Sequence, residues 1–321
     1  MSLSGAFGFA GGSRTTARAF VIALAAVLIV QIASPAIAGD LDDYLDRAAD
    51  ADYAGRRVVV TVWDGRSEAA MADIDHADGM VMISDEGNDV MIGEGKMMAG
   101  SSGVTFSGWS IVDSSSRYVT GEEVDVNRLG RAARSVTILE GDIVRAKIIF
   151  DAETWAPLAT EIYDADGSLF RLSALTDFDP VPERAYAAMR HIESDTYDVM
   201  PRVAQSSLPA QAAGYSRLDT YLGTDGVTHA FYGDGLFSFS IFVLPAGSAE
   251  PNLDGSTSLD VAGARYRVLV EAAETWVSWT HKEVGYVLVG DLPPDHLVQV
   301  LGELPAPRDR NLFERILGFF S

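Results

Sequence analysis

Five histidines and 46 acidic side chains are the groups with which this chain could hold a metal or move protons near neutral pH, and the sequence contains no cysteine. His76, His191, His229, His281 and His296 are scattered, with no His-Glu-x-x-His run and no pair at helical spacing, so the patterns that hold a catalytic zinc are absent. His229 lies in a strand-like run beside Ala230 and Phe231, the setting of a hydrogen-bonded structural histidine. Asp164-Ala165-Asp166-Gly167 starts like a calcium loop but lacks the glutamate that closes one, and reads as a hairpin turn. There is no Gly-x-Ser-x-Gly elbow and no glycine loop for phosphate. No spacing singles out two carboxylates for glycoside chemistry. The sequence therefore predicts no catalytic residue, no metal ligand and no cofactor, and a protein that is not an enzyme. An exported hydrolase with an unrecognised site is the competing reading, and no motif contributes to it.

Charge removes further classes. The formal net charge is −22, and no Asp or Glu precedes Asp40. Nucleic acid, which requires clustered Lys and Arg to displace counterions, is a poor partner, and an anionic membrane surface is disfavoured for the same reason. A basic protein surface would be attracted, although a solvated acidic face that keeps an exported protein soluble explains the same balance. Without cysteine there is no disulfide framework and no thiol for lipid attachment, so stability has to come from packing.

Arg14 and Arg18 precede an apolar run from Ala19 to Ala33, followed by Ala36-Ile37-Ala38 before Gly39. The apolar run is short for a membrane span of about 20 residues and ends at a small-residue cleavage site, so residues 1–38 read as a signal peptide. An uncleaved anchor is the alternative, and either reading exports the remainder to the periplasm or another extracytoplasmic space. The remaining chain is long enough to bury two cores.

The first core opens on a helix. Leu41, Tyr44, Leu45 and Ala48 share one helical face, with Asp40 as cap and Asp42 and Asp43 in the first turn. Strand patterns follow at 57–63, 69–76, 79–84, 88–92, 135–139, 144–151, 158–164 and 168–178, separated by turn residues such as Asp64-Gly65, Asp78-Gly79 and Glu140-Gly141-Asp142. One helix followed by such a meander implies a curved antiparallel sheet around that helix. Met80, Met82 and Met91, with Phe106 and Trp109 in a Gly/Ser-rich stretch, suit the lining and mouth of an apolar cavity; ordinary core packing explains the methionines equally.

The second core centres on Val227 to Val243. Two strand-like runs flank Gly233-Asp234-Gly235, which supplies the positive-φ positions of a tight hairpin. Phe237, Phe239, Ile241 and Val243 alternate with Ser238 and Ser240, the pattern of a half-buried strand. Further strands are expected near 265–271, 275–281 and 285–290. A helix from Asp295 should then carry an apolar stripe of Leu297, Val298, Val300, Leu301 and Leu304. After Pro305 to Pro307, Leu312, Phe313, Ile316, Leu317, Phe319 and Phe320 make one face of an amphipathic tail, suited to docking on protein or to touching a membrane.

Three segments in order carry a family likeness: Leu208-Pro209-Ala210 with Gly214-Tyr215, then Thr228-His229-x-x-Tyr232-x-Asp234-Gly235-Leu236-x-Ser238-x-Ser240-x-Phe242-Val243, then Gly285 to Pro293 with Leu297. Together they resemble the C-terminal domain of the MucB/RseB family of extracytoplasmic sigma-factor regulators. The likeness extends to Tyr53-Ala54-Gly55, to Ala72 to Gly79 with His76, and to Val126 to Gly167. It implies an α+β, β-rich fold: an N-terminal lipoprotein-carrier-like sheet, an unclosed barrel around a helix, plus a smaller C-terminal antiparallel sheet with a helix. The expected layout is a signal peptide (1–38), an N-terminal domain (39–179), a linker (180–213), a C-terminal domain (214–304) and the tail (305–321). What the resemblance implies for function is binding of the extracytoplasmic part of a membrane anti-sigma factor, with a lipid or lipoprotein as the apolar signal. A periplasmic carrier of lipids or lipoproteins is the alternative. His229, Phe231, Tyr232 and Phe237 are expected to shape the surface of the C-terminal domain.

Overall fold

The stripe Leu41, Tyr44, Leu45 and Ala48 becomes the buried face of helix α1 (Leu41–Ala49) in the computed structural model of the protein. The structure describes residues 41–77, 80–85, 88–93, 96–97, 117–181, 208–223, 226–248 and 253–308. The signal segment, Phe106, Trp109, most of the expected linker and the tail beyond Arg308 lie outside the described residues.

Ten strands follow α1 in one antiparallel sheet: β1 (Tyr53–Trp63), β2 (Arg66–Ala77), β3 (Met80–Asp85), β4 (Asn88–Gly93), β5 (Lys96–Met97), β6 (Val119–Arg128), β7 (Arg131–Glu140), β8 (Ile143–Asp151), β9 (Pro157–Tyr163) and β10 (Leu169–Leu175). Their order is β5-β4-β3-β2-β1-β10-β9-β8-β7-β6. The chain runs outward from β1 to β5, then returns from the far edge at β6 inward to β10, which pairs with β1. Among the described residues β5 and β6 are the two edges and do not pair with each other, so the sheet is open there. Register sets Val136 opposite Ile148, and Ile138, Ala146 and Ile162 in a row, all in the core that α1 enters. Tyr44 stacks on Phe150 at 5.7 Å, and the Arg47 guanidinium lies 4.6 Å over Trp155, closing the helix end.

The C-terminal sheet has eight strands: β11 (Gln211–Ala212), β12 (Tyr215–Leu222), β13 (Thr228–Gly233), β14 (Ser238–Val243), β15 (Thr257–Val261), β16 (Ala264–Val270), β17 (Thr275–His281) and β18 (Val284–Gly290). They lie in the order β11-β12-β13-β14-β18-β17-β16-β15 and are followed by helix α2 (Pro294–Glu303). Pro294 at the start of α2 is favourable because its missing N–H would be unpaired there anyway. Leu297, Val300, Leu301 and Leu304 enter the core with Phe239, Ile241 and Val277. Tyr266 donates to the Leu301 carbonyl at 3.2 Å, tying the helix to β16. Beyond α2 the Arg308 backbone bonds to Thr280 and Lys282, so the chain runs back along β17.

Four expectations need correction. Val298 is 40% exposed and falls outside the helix stripe, because the 3.6-residue period turns it from the face shared by Leu297 and Leu301. Strand β14 is buried on both faces, since it is central between β13 and β18 and Ser240 bonds to His229 at 2.8 Å. Gln211 and Ala212, placed in the linker, form β11. Strands β6, β12 and β15 occupy stretches where none was anticipated. In β12 a bulge between Arg217 and Asp219 moves the buried position from Tyr215 to Thr220 and breaks the two-residue period.

Replacing Leu301 with Ala should lower the unfolding free energy by about 2–5 kcal/mol, whereas Val298→Ala should change it by less than about 0.5 kcal/mol. Urea denaturation followed by circular dichroism separates the two cases. Equal losses would show that α2 does not cover the core as described.

A charged junction as candidate functional site

The expected hairpin forms, and its tip points at the other half of the molecule. Gly233 pairs with Ser238, Gly235 takes a φ of +96°, and the Asp234 amide donates to the Phe237 carbonyl at 3.2 Å. One Asp234 carboxylate oxygen accepts the amides of Leu236 and Phe237, at 3.1 and 2.9 Å, which shapes the turn. The other oxygen leaves the hairpin: it accepts the Tyr118 hydroxyl at 2.6 Å and Arg117 Nη1 at 2.9 Å. Asp234 is buried, and these two partners from the N-terminal half satisfy the oxygen that the hairpin leaves unpaired.

Arg117 is the hub of the junction. Its Nε donates to Glu140 at 2.8 Å, Nη1 also reaches the Ala213 carbonyl at 3.1 Å, and Nη2 lies 3.0 Å from His296 Nε2. Its plane sits 5.0 Å over the Tyr215 ring, using a fork of donors and an aromatic contact that a lysine lacks. Glu140, at the end of β7, also accepts Arg145 Nε at 2.6 Å. Arg145 then grips Asp295 through both terminal nitrogens, at 3.0 and 2.7 Å. Asp295 lies in the first turn of α2, where a carboxylate suits the helix dipole. Its amide donates to Asp164 in the β9–β10 turn at 3.2 Å. The fully buried His296 completes the set: with its proton on Nε2 it donates to Glu140 at 2.9 Å, leaving Nδ1 to accept the Tyr215 hydroxyl at 2.7 Å.

Burial opposes ionisation of Glu140, but hydrogen bonds from His296 and Arg117 outweigh it and hold the carboxyl well below its usual range. Burial also works against the Asp295 carboxylate, and Arg145 reverses the balance and lowers its pKa. Asp164, against Asp295, moves upward through burial and that neighbour. Tyr118 is driven far above an ordinary phenol by burial and by the Asp234 charge.

A second contact lies on the sheet itself. Thr61 on β1 donates to the Ala272 carbonyl at 2.6 Å and accepts Arg171 Nε from β10 at 2.8 Å. Burial lowers the Arg171 pKa to about 10.

Several residues singled out from sequence lie elsewhere. His229, Tyr232 and Phe237 are interior, not surface, side chains, and Phe231 is half-buried, because β13 and β14 are inner strands of the sheet. His229 stacks between Tyr221 and Phe242, and burial depresses its pKa to about 4. Tyr232 lies flat on Phe239 at 4.8 Å and donates to the Pro209 carbonyl. Phe237 meets the junction edge-on, against Tyr118 at 6.0 Å and His296 at 5.7 Å. Met82 is buried on β3, in register with Met91 on β4, and Met80 begins β3. Asp164 to Gly167 is a hairpin turn, with the Asp164 amide bonded to the Ser168 carbonyl at 2.9 Å. Among the described residues, no group of three or more His, Asp or Glu could hold a metal ion, and no helix is long and apolar enough to cross a membrane.

Sequence reading missed Arg117, Glu140, Arg145, Arg171 and Asp295. The available signal was an arginine inside an otherwise apolar strand, as in Ile143-Val144-Arg145-Ala146 and Leu169-Phe170-Arg171-Leu172. A charge in such a run is expected to have a buried partner.

Arg117→Met should cost about 3–5 kcal/mol at neutral pH, because it leaves the buried Asp234 without its cation and removes one of the two arginines that Glu140 accepts. Carboxylates with lowered pKa values contribute above their ordinary value, 4.5 for Glu140, and lose that contribution as pH falls through the lowered one. The gap between wild type and variant in urea midpoints should therefore narrow in acid. A gap that stays constant from about pH 7 to 3 would show that the network carries no titrating stabilisation.

No protein-family model and no curated protein matches the sequence. Solved structures do. MucB is similar at 20% identity with a TM-score of 0.50, covering 82% of this chain and 96% of MucB. MucB in complex with MucA(peri) is similar at 17% identity and a TM-score of 0.50, covering 84% and 98%. The Pseudomonas aeruginosa MucA/MucB complex follows at 16% identity, with 84% and 99% covered and a TM-score of 0.47. On the first two, the open sheet around α1 and the smaller sheet under α2 together constitute a MucB/RseB-like fold.

Proposed function

We propose that this protein is an exported regulator that holds the extracytoplasmic part of a membrane anti-sigma factor, restrains an envelope-stress sigma factor, and lets go when a lipid or lipoprotein occupies its N-terminal half. The observation that carries this reading is the likeness to MucB across both halves, including MucB bound to MucA(peri). The division into a carrier-like domain at 39–179 and a partner-binding domain at 214–304 belongs to the same proposal.

Physical requirements narrow the mechanism. A signal shifts the protein only if it binds the released arrangement better than the partner-bound one, and by linkage the partner then weakens signal binding by the same factor. The charged junction is the element that links the halves, because the pairs Arg117 with Asp234 and Arg145 with Asp295 cross between them. Support for an apolar signal comes from Met82, an adaptable side chain on β3 of the open sheet. The net charge of −22 favours a basic partner segment and an association that weakens with salt.

Residues 39–321, immobilised and exposed to a detergent extract of the cell's own membranes, should retain a single-span protein with a cytoplasmic sigma-binding domain. Added lipid should compete it off, with mass spectrometry identifying both bound classes. Retention of lipid with no such protein would overturn the regulator and leave a periplasmic carrier.

A further inference from the structure

The loop between β16 and β17 is the part of the C-terminal half that rests on β1. The Glu271 amide donates to the Glu274 carbonyl at 3.0 Å and closes the loop, whose Ala272 carbonyl receives the Thr61 hydroxyl. The polar groups around this contact are incompletely matched. Glu274 Oε1 accepts the Trp276 indole N–H at 3.0 Å, while Oε2 is buried with no hydrogen-bond partner. Arg171 is 4% exposed, and its Nη2 is likewise buried without a partner, as is Thr275 Oγ1. Arg171 and Glu274 feel each other's charge, yet no ion pair joins them. A carboxylate oxygen sealed from water with no donor is strongly disfavoured when charged and tolerable when the acid is neutral.

We propose that this loop is a proton-operated contact between the two halves, seated on β1 and β10 while Glu274 carries its proton and displaced from them once its carboxyl ionises. Four charged groups bear on it: Glu271 in the loop, Arg171 on β10, Asp291 just after β18, and Asp234, which acts on Asp291. Burial first, then the Glu271 charge, move Glu274 from 4.5 to about 7, with Arg171 pulling the other way. Burial also moves Asp291, whose carboxylate accepts the Ser238 amide at 3.0 Å, up to about 6. Raised pKa values mean the seated loop is fully favoured below the ordinary carboxyl value and loses that support as pH rises through about 7. The Glu140 network titrates the opposite way, so acid seats the loop and loosens the other contact only at much lower pH.

The chain has no cysteine, so cysteines introduced at the exposed Ser67 and Ala273 would be its only labelling sites. Spin-label distances between them, measured from about pH 5 to 9, should show one short population in acid and a longer or broader one in base, with a midpoint near 7. Glu274→Gln should keep the acid distribution throughout. Glu271→Gln, at an exposed position, should move the midpoint to lower pH. A distribution insensitive to pH in the wild type, or a transition that persists in Glu274→Gln, would overturn the proposal. Should that variant fail to fold, an unshifted midpoint in Glu271→Gln overturns it.

Discussion

The carboxylate of Asp234 has two jobs that cannot be separated. One oxygen holds the amides of Leu236 and Phe237 and so builds the hairpin turn; the other binds Tyr118 and Arg117 and so fixes where the hairpin meets the N-terminal half. A buried charge must be neutralised locally, and Arg117 does this with a planar fork that also reaches Glu140 and the Ala213 carbonyl. From Glu140 the chain of charges continues through Arg145 to Asp295 and the start of α2. Sheet, hairpin and helix are thereby placed by a single connected network of hydrogen bonds and ion pairs.

Such a network is weak evidence of net stability, because desolvating the ions costs about as much as their attraction returns. Its consequence is geometric. An apolar interface between two sheets would tolerate sliding, whereas bidentate contacts such as Arg145 with Asp295 are satisfied in one register only. The second contact is built on different terms. Thr61, Ala272, Arg171 and Glu274 meet with buried polar atoms left unmatched, so this side of the junction is held less firmly than the ionic side. A joint that is fixed at one end and yielding at the other is a natural hinge.

The likeness to MucB at 20% identity shows how little of the sequence such a fold requires. What must be kept is alternation on the inner strands, turn residues between them, and an apolar helix face on each sheet. Gly290 is one of the few backbone positions with no latitude: a Cβ there would lie 2.6 Å from Phe239 Cβ and 2.7 Å from the Ser238 carbonyl oxygen. It falls within the segment Gly285 to Pro293 that carries the family resemblance.

Local pattern determined much of this protein. The period of α1, the hairpin around Asp234, the strands of both sheets with unbroken alternation, and the helix after Pro294 are all set by residues near one another in sequence, and each could be read there. The strands that could not be read fail for local reasons as well. Strand β6 carries Gly121 and four charged residues on a sheet edge, and β12 hides its period behind a bulge. The Lys282-Glu283 turn takes positive φ at both positions without a glycine to announce it. The junction is a different matter. Arg117 and Asp234 are 117 residues apart, and Arg145 and Asp295 are 150 apart. An arginine within an apolar run, such as Arg145, signals that a buried partner exists but not which one, because partnership depends on how two separately patterned sheets come together. Only the tertiary structure decides that, and it is what turned His229, Tyr232 and Phe237 inward and made a charged seam the candidate site.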